Sequence, residues 1–130
     1  MKTVNNPKEI EAIIANSPEG KNTRFLNSAH SLWFRFKNYE KHPPLMLEDS
    51  NGEPCAFVFA THSARSRYMN LYEIVTVEGK EGNRYASVVW EAAMADAVSK
   101  GMTRLKISCT PSSVTWHMRN GLVFWGVDKS

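Results

Sequence analysis

Cysteine is scarce in this chain, with only Cys55 and Cys109 among 130 residues. A chain of this length buries enough apolar surface to fold without disulfide or metal staples. Residues 1–130 are therefore read as a single domain. Each cysteine lies in an apolar, strand-like run, where a free thiol behaves as a small hydrophobe; two reduced thiols and a cytoplasmic location are expected. No apolar run approaches the roughly 20 residues needed to cross a bilayer, and the opening MKTVNNPKEI has no apolar h-region. No membrane role is expected. Charge of one sign is also lacking: 16 Lys and Arg against 13 Asp and Glu leave +3, divided almost evenly between the two halves. That falls short of the basic stripe of a dedicated nucleic-acid binder. His30, His42, His62 and His117 are scattered without ligand spacing, so no metal is expected. Cys109 with His117 has no orienting third residue or oxyanion signature, which argues against thiol nucleophile chemistry. Repeats and low-complexity tracts are absent.

What the chain does have is 42% hydrophobic residues and four Trp, enough for a packed core. Asn6-Pro7-Lys8-Glu9 reads as a helix start, with Asn at the cap, Pro where a missing amide costs nothing, and Glu placed to reach back. Ile10, Ile13 and Ile14 share one face. A second helix is predicted from about Arg24 to Tyr39, its stripe of Phe25, Ala29, Leu32, Trp33 and Phe36 read as core. Leu45 to Glu48 and Cys55 to Thr61 read as a hairpin around Asp49-Ser50-Asn51-Gly52. The second run is apolar on both faces, as suits a central strand. His62 to Arg67, HSARSR, is read as a solvated turn.

The stretch from Leu71 to Gly101 organises the rest. A strand from Tyr68 to Val77 carries Met69, Leu71, Val75 and Val77 on one expected face, with Glu73 among them. A carboxylate in such a row is costly, so either a bulge turns it out or it has a task. A polar turn follows, then an Ala-rich helix from Arg84 to Lys100 that Gly101 stops. Strand, turn, helix N-terminus is a recurring way to hold an anion, because the first amides of a helix lack intrahelical acceptors. Arg104 to Cys109 reads as the next strand, Thr110 to Arg119 as a short helix, and Leu122 to Val127 as the last strand. These elements describe an α/β (α+β) domain with a mixed sheet and helices on both faces. The two strands flanking the Ala-rich helix should run parallel, through a right-handed crossover.

This order, with the wording after Val77, resembles the GNAT superfamily of N-acetyltransferases. There the loop reads Q/R-x-x-G-x-G/A, and its amides cradle the pyrophosphate of acetyl-coenzyme A. The matching positions here are Glu81, Arg84 and Ala86, inside Glu81-Gly82-Asn83-Arg84-Tyr85-Ala86-Ser87. Ala86 fits; Glu81 replaces a neutral or basic residue, and Arg84 replaces the first glycine. A second signature, N-x-x-A-x-x-x-Y-x-x-x-G-F, is matched by Thr110, Ser113, His117, Gly121 and Leu122. The resemblance runs from about Leu45 to Val127. It implies a mostly antiparallel GNAT-like sheet, short at both ends, whose first strand would come from Met1 to Asn5 and whose last is missing after Gly126. An uncovered sheet edge of that kind invites a homodimer.

The resemblance further implies an acetyl-coenzyme A dependent N-acetyltransferase acting on an amine of a small molecule or protein. The amides of Val75 and Val77 would contact the cofactor, Gly82, Asn83, Arg84, Tyr85, Ala86 and Ser87 would meet its pyrophosphate, and Thr110 and Ser113 would border it. Glu73 is the candidate base. His117 stands where the family commonly has a tyrosine that protonates the thiolate, and an imidazolium can do so near neutral pH. The competing reading is a catalytically degenerate GNAT-fold module that binds a protein or nucleic-acid partner, which Glu81 and Arg84 favour.

Overall fold

Two apolar faces on one strand set the architecture. A computed structural model of the chain describes residues 1–108 and 127–128. In order it has β1 (Lys2–Thr3), α1 (Pro7–Asn16), α2 (Lys21–Arg35), α3 (Asn38–Lys41), β2 (Leu45–Glu48), β3 (Pro54–Ser63), β4 (Tyr68–Thr76), α4 (Tyr85–Ser99), β5 (Arg104–Ser108) and β6 (Val127–Asp128). These strands form one sheet in the order β1-β2-β3-β4-β5-β6. The first three pairings are antiparallel; β4 with β5 and β5 with β6 are parallel. The parallel pairing expected across the Ala-rich helix is present. On β3, Phe57 and Phe59 point toward α1 and α2, where they join Ile10, Leu26 and Trp33. Ala56, Val58 and Ala60 point the other way, against Val89, Trp90, Ala93 and Ala97 of α4. Alanines on both sides of that second interface let the helix backbone come close to the sheet.

The first helix starts as its sequence dictates: Asn6 accepts from the Lys8 amide at 3.0 Å. Glu9 does not reach back to the cap; its carboxylate lies 3.7 Å from Lys2 Nζ and ties α1 to β1. The second helix differs more. It starts at Lys21, three residues before the predicted Arg24, because a carboxylate from a distant loop caps it. It also stops early: Lys37 adopts a left-handed conformation (φ 56°) and separates α2 from α3. Its buried face is Leu26, Ala29, His30 and Trp33. Phe25 and Phe36, read as core from the sequence, are 44% and 61% exposed. Their rings sit under the Lys21 and Arg35 cations, at 5.6 and 5.2 Å.

Beneath α2 a relay of polar groups joins three helices. His30 Nδ1 and the Tyr39 hydroxyl are 2.6 Å apart, and His30 Nε2 lies 3.3 Å from the Glu11 carboxylate. Burial, with Glu11 second, raises the Tyr39 phenol above its ordinary value, so the hydroxyl stays protonated. The His30→Ala variant should lose about 2 kcal/mol, since a buried hydroxyl without a partner costs roughly 1–3. A cycle with Tyr39→Phe in chemical denaturation should return a coupling of about 1 kcal/mol; strict additivity would show that the contact is idle.

A register shift beside Phe59 and Ala60 corrects the reading of β4. Phe59 faces Glu73 while Ala60 faces Leu71, so Tyr72 is the extra residue of a bulge. Met69 and Leu71 pack on the α4 side. Beyond the bulge the alternation inverts, and Val75 packs on the α1/α2 side with Tyr72 and Val77. The first strand expected between Met1 and Asn5 is β1. The predicted helix from Thr110 to Arg119, Cys109 and residues 122–126 of the last predicted strand lie outside the described residues; Val127, its final residue, pairs with Ile107 in β6, so a strand follows Gly126 where none was expected.

Candidate functional site

β4 is paired along its whole length on one side and only partly on the other. It meets β5 through Tyr68, Asn70 and their neighbours up to Leu71↔Ile107, whereas it continues along β3 to Thr76↔Ala56. From Tyr72 onward its other flank has no strand partner among the described residues. The direction of each amide there follows from one hydrogen bond: Val77 N–H donates to the Cys55 carbonyl at 2.8 Å. In an antiparallel ladder, alternate residues share that direction. Val75, opposite Phe57, therefore also points its amide at β3. Val75 and Val77, expected to offer amides to a ligand, thus turn theirs to β3, and the alternation directs those of Ile74 and Thr76 to the other flank.

The loop from Val77 to Arg84 carries the strand to α4. It turns through positive φ at Gly79 (87°), Gly82 (85°) and Arg84 (59°). Arg84 thus holds the left-handed conformation that glycine would take without penalty. It is the N-cap of α4, and its own side chain makes no capping hydrogen bond. The amides of Tyr85, Ala86 and Ser87 have no intrahelical acceptors by position, and they carry the positive end of a 15-residue helix. The exposed Arg84 has no ion pair among the described residues. Its neighbour Lys80 is committed elsewhere, 2.8 Å from Glu53 and 3.3 Å from Asp49. Those two hydrogen bonds, Glu53 first, hold its ammonium well above the ordinary lysine value. Asn83 braces the loop by donating to the carbonyls of Lys80 and Glu81, at 3.1 and 3.4 Å.

Glu73 sits at the bulge, opposite Phe59. Burial pushes its carboxyl up from 4.5 to about 7, while the Ile74 amide works in the opposite direction. Trp33 packs edge-on against both Tyr72 and Phe59, each at 5.3 Å. An aromatic wall therefore adjoins the carboxylate.

No protein-family model and no curated protein sequence matches the chain. Solved structures do. Glucosamine-6-phosphate N-acetyltransferase from Arabidopsis thaliana superposes with a TM-score of 0.61 at 14% identity, covering 100% of this chain and 94% of that one. The spermidine/spermine N-acetyltransferase SpeG from Vibrio cholerae gives 0.64 at 12%, covering 93% and 76%. Nourseothricin acetyltransferase gives 0.56 at 16% over 65% of this chain, which spans about half (51%) of that protein. The chain has the GNAT fold.

Within the GNAT fold the predicted site residues fall into three groups. Glu73, Gly82, Asn83, Arg84, Tyr85, Ala86 and Ser87 lie on β4, its following loop and the first turn of α4. Val75 lies on β4 and Val77 just after it, both with their amides toward β3. Thr110, Ser113 and His117 lie outside the described residues. Glu81, which stands where the family has a neutral or basic residue, accepts from Asn22 Nδ2 at 2.6 Å. Glu78 and Gly20 went unnoticed in the sequence. Glu78 accepts from the amides of Asn22 and Thr23 at 2.8 and 3.2 Å. A contact between residues 55 and 56 positions apart leaves no local signature. A groove of about 160 Å³, lined by Met69, Met94 and Met102 among others, lies between the far half of α4 and β5, away from this loop.

Proposed function

We propose that this protein transfers an acetyl group from acetyl-coenzyme A to an amine. The observation that carries the reading is the GNAT-fold β4 flank that, among the described residues, has no strand partner beyond Leu71, with the Ile74 and Thr76 amides directed into it beside the start of α4, where the N-cap side chain makes no capping hydrogen bond. An extended amide-bearing arm fits such a flank, because it can pair with backbone groups that no strand there engages among the described residues. The amides of Tyr85, Ala86 and Ser87 and the guanidinium of Arg84 would hold a diphosphate, the latter as a mobile cation. Acetyl-coenzyme A supplies the activated acyl group. Glu73 takes a proton from the incoming ammonium, directly or through water, and a carboxyl titrating near 7 is poised for that exchange. His117 is the proposed proton donor to the departing thiolate. The likeness to glucosamine-6-phosphate and spermidine/spermine N-acetyltransferases supports an amine as the acceptor class.

One observation favours the second reading, a GNAT-fold module that binds a partner without catalysis: the strained cation at Arg84, where the family has glycine. Thermal unfolding with added acetyl-coenzyme A separates the two. Cofactor at 100 times its dissociation constant should add about 2.7 kcal/mol to folding stability. An unchanged transition at millimolar cofactor would sink the transferase reading and leave the binding module standing.

A further inference from the structure

The geometry points to Glu78 as the positioning residue of the pyrophosphate loop, a clamp that holds the loop to α2. This inference rests on the acetyltransferase reading. Three side chains tie the loop down. Lys80 anchors it to the β2–β3 hairpin through Asp49 and Glu53, and Asp49 is itself fixed by accepting from the Asn51 and Glu53 amides at 2.8 and 3.0 Å. Glu81 takes the side chain of Asn22. Glu78 does something different, because it replaces the cap that α2 lacks. The N-cap of α2 is Gly20, which makes no side-chain hydrogen bond, and the half-buried Glu78 carboxylate supplies the acceptor for the Asn22 and Thr23 amides.

Gly20 is part of the same device. Its backbone is extended (φ −179°), so any residue could adopt it. A Cβ at that position would nevertheless collide with the Glu78 carboxylate. Any side chain there would therefore displace the acid's carboxylate, while nothing in the residue's own conformation calls for glycine. The negative end of the clamp meets the positive pole of α2, so charge and hydrogen bonding act together. The consequence is mechanical. The segment leading into Gly82–Arg84 is fixed to the helix that walls the Glu73 side of the sheet, and the loop amides are set before a ligand arrives, which spares the ligand the ordering cost.

The test is calorimetric titration of the full chain with coenzyme A at 15 °C, each variant first checked by circular dichroism. Glu78→Ala should bind about tenfold more weakly than the natural protein. Gly20→Ala should lose a similar amount by expelling the carboxylate, and the double variant should be no weaker than either single one, since both act through one contact. Glu78→Gln, which keeps an acceptor for the α2 amides, should remain within about threefold. A merely structural cap would lower the melting temperature of Glu78→Ala and leave the affinity alone. Unchanged or tighter binding by Glu78→Ala, or losses that multiply in the double variant, would overturn the clamp while leaving the transferase reading intact. No binding by the natural protein would remove that reading, and the clamp with it.

Discussion

Glu73→Gln should lower the acetyl-transfer rate by roughly 10²–10⁴-fold, the usual contribution of a positioned general base, while making the folded protein more stable at pH 8. Both effects have one cause. Burial raises the carboxyl from 4.5 to about 7, so the ionised form needed for catalysis is the form the fold disfavours. The folded state binds this proton more tightly than the unfolded chain does. The contribution to stability is therefore complete below pH ~4, where both states are protonated, and is lost as pH rises through the folded value near 7. A rise of that size corresponds to about 3 kcal/mol, and residual solvent screening reduces it to on the order of 2 kcal/mol. Glu73→Gln should recover that amount at pH 8 and almost none at pH 4. Activity of the natural protein should climb through pH ~7 to a plateau, and the variant's residual activity should be flat there. A variant that is no more stable at pH 8 than at pH 4 would show that the carboxylate is solvated or paired.

Trp33→Ala should be the most destabilising single substitution among the described helices, at about 4 kcal/mol. Trp33 has no exposed surface. Its ring stands edge-on to both Phe59 and Tyr72, and its indole N–H donates to the His42 carbonyl at 2.8 Å. Removing it opens a cavity between α2 and the sheet, strips two aromatic contacts and leaves a carbonyl short of a donor. With total stability of about 5–15 kcal/mol typical for a domain, the urea midpoint should fall by on the order of 2 M at constant slope. Trp33→Phe should lose roughly half as much, since it fills most of the hole without the N–H. A loss below about 1.5 kcal/mol for the alanine variant would mean that α2 can collapse onto the sheet. The same cavity would undercut Tyr72 at the bulge, so activity, where measured, should fall along with stability.

Local chemistry was legible wherever cause and effect lie close together in the chain. Asn6 and Pro7 start a helix, the Asn51-Gly52 turn joins two strands, and Gly101 follows the end of α4, because each acts within a few bonds. The apolar run Cys55 to Ala60 announced a strand buried on both sides, and the structure divides it between the two cores. The GNAT resemblance was legible in the same way, from element order and a loop of a few residues. Faces and directions were less so. A single extra residue at Tyr72 inverts the alternation along β4, and an alternation argument has no means of placing that residue. The same limit applied to Val75 and Val77: periodicity located the strand, and the Val77 to Cys55 hydrogen bond decided which way each amide points.

By itself, the amino-acid order determined the succession of elements, the two-sided apolar character of the central strand and the position of an anion-suited helix start after Val77, all of which depend on short-range sterics and hydrophobic spacing. Tertiary structure alone decided that Glu78 caps α2, that Glu81 turns to Asn22 and that the Ile74 and Thr76 amides point away from β3. Those outcomes join residues that are distant in the chain, or hinge on a one-residue shift in pairing, and their energies exist only once the sheet has brought the partners together.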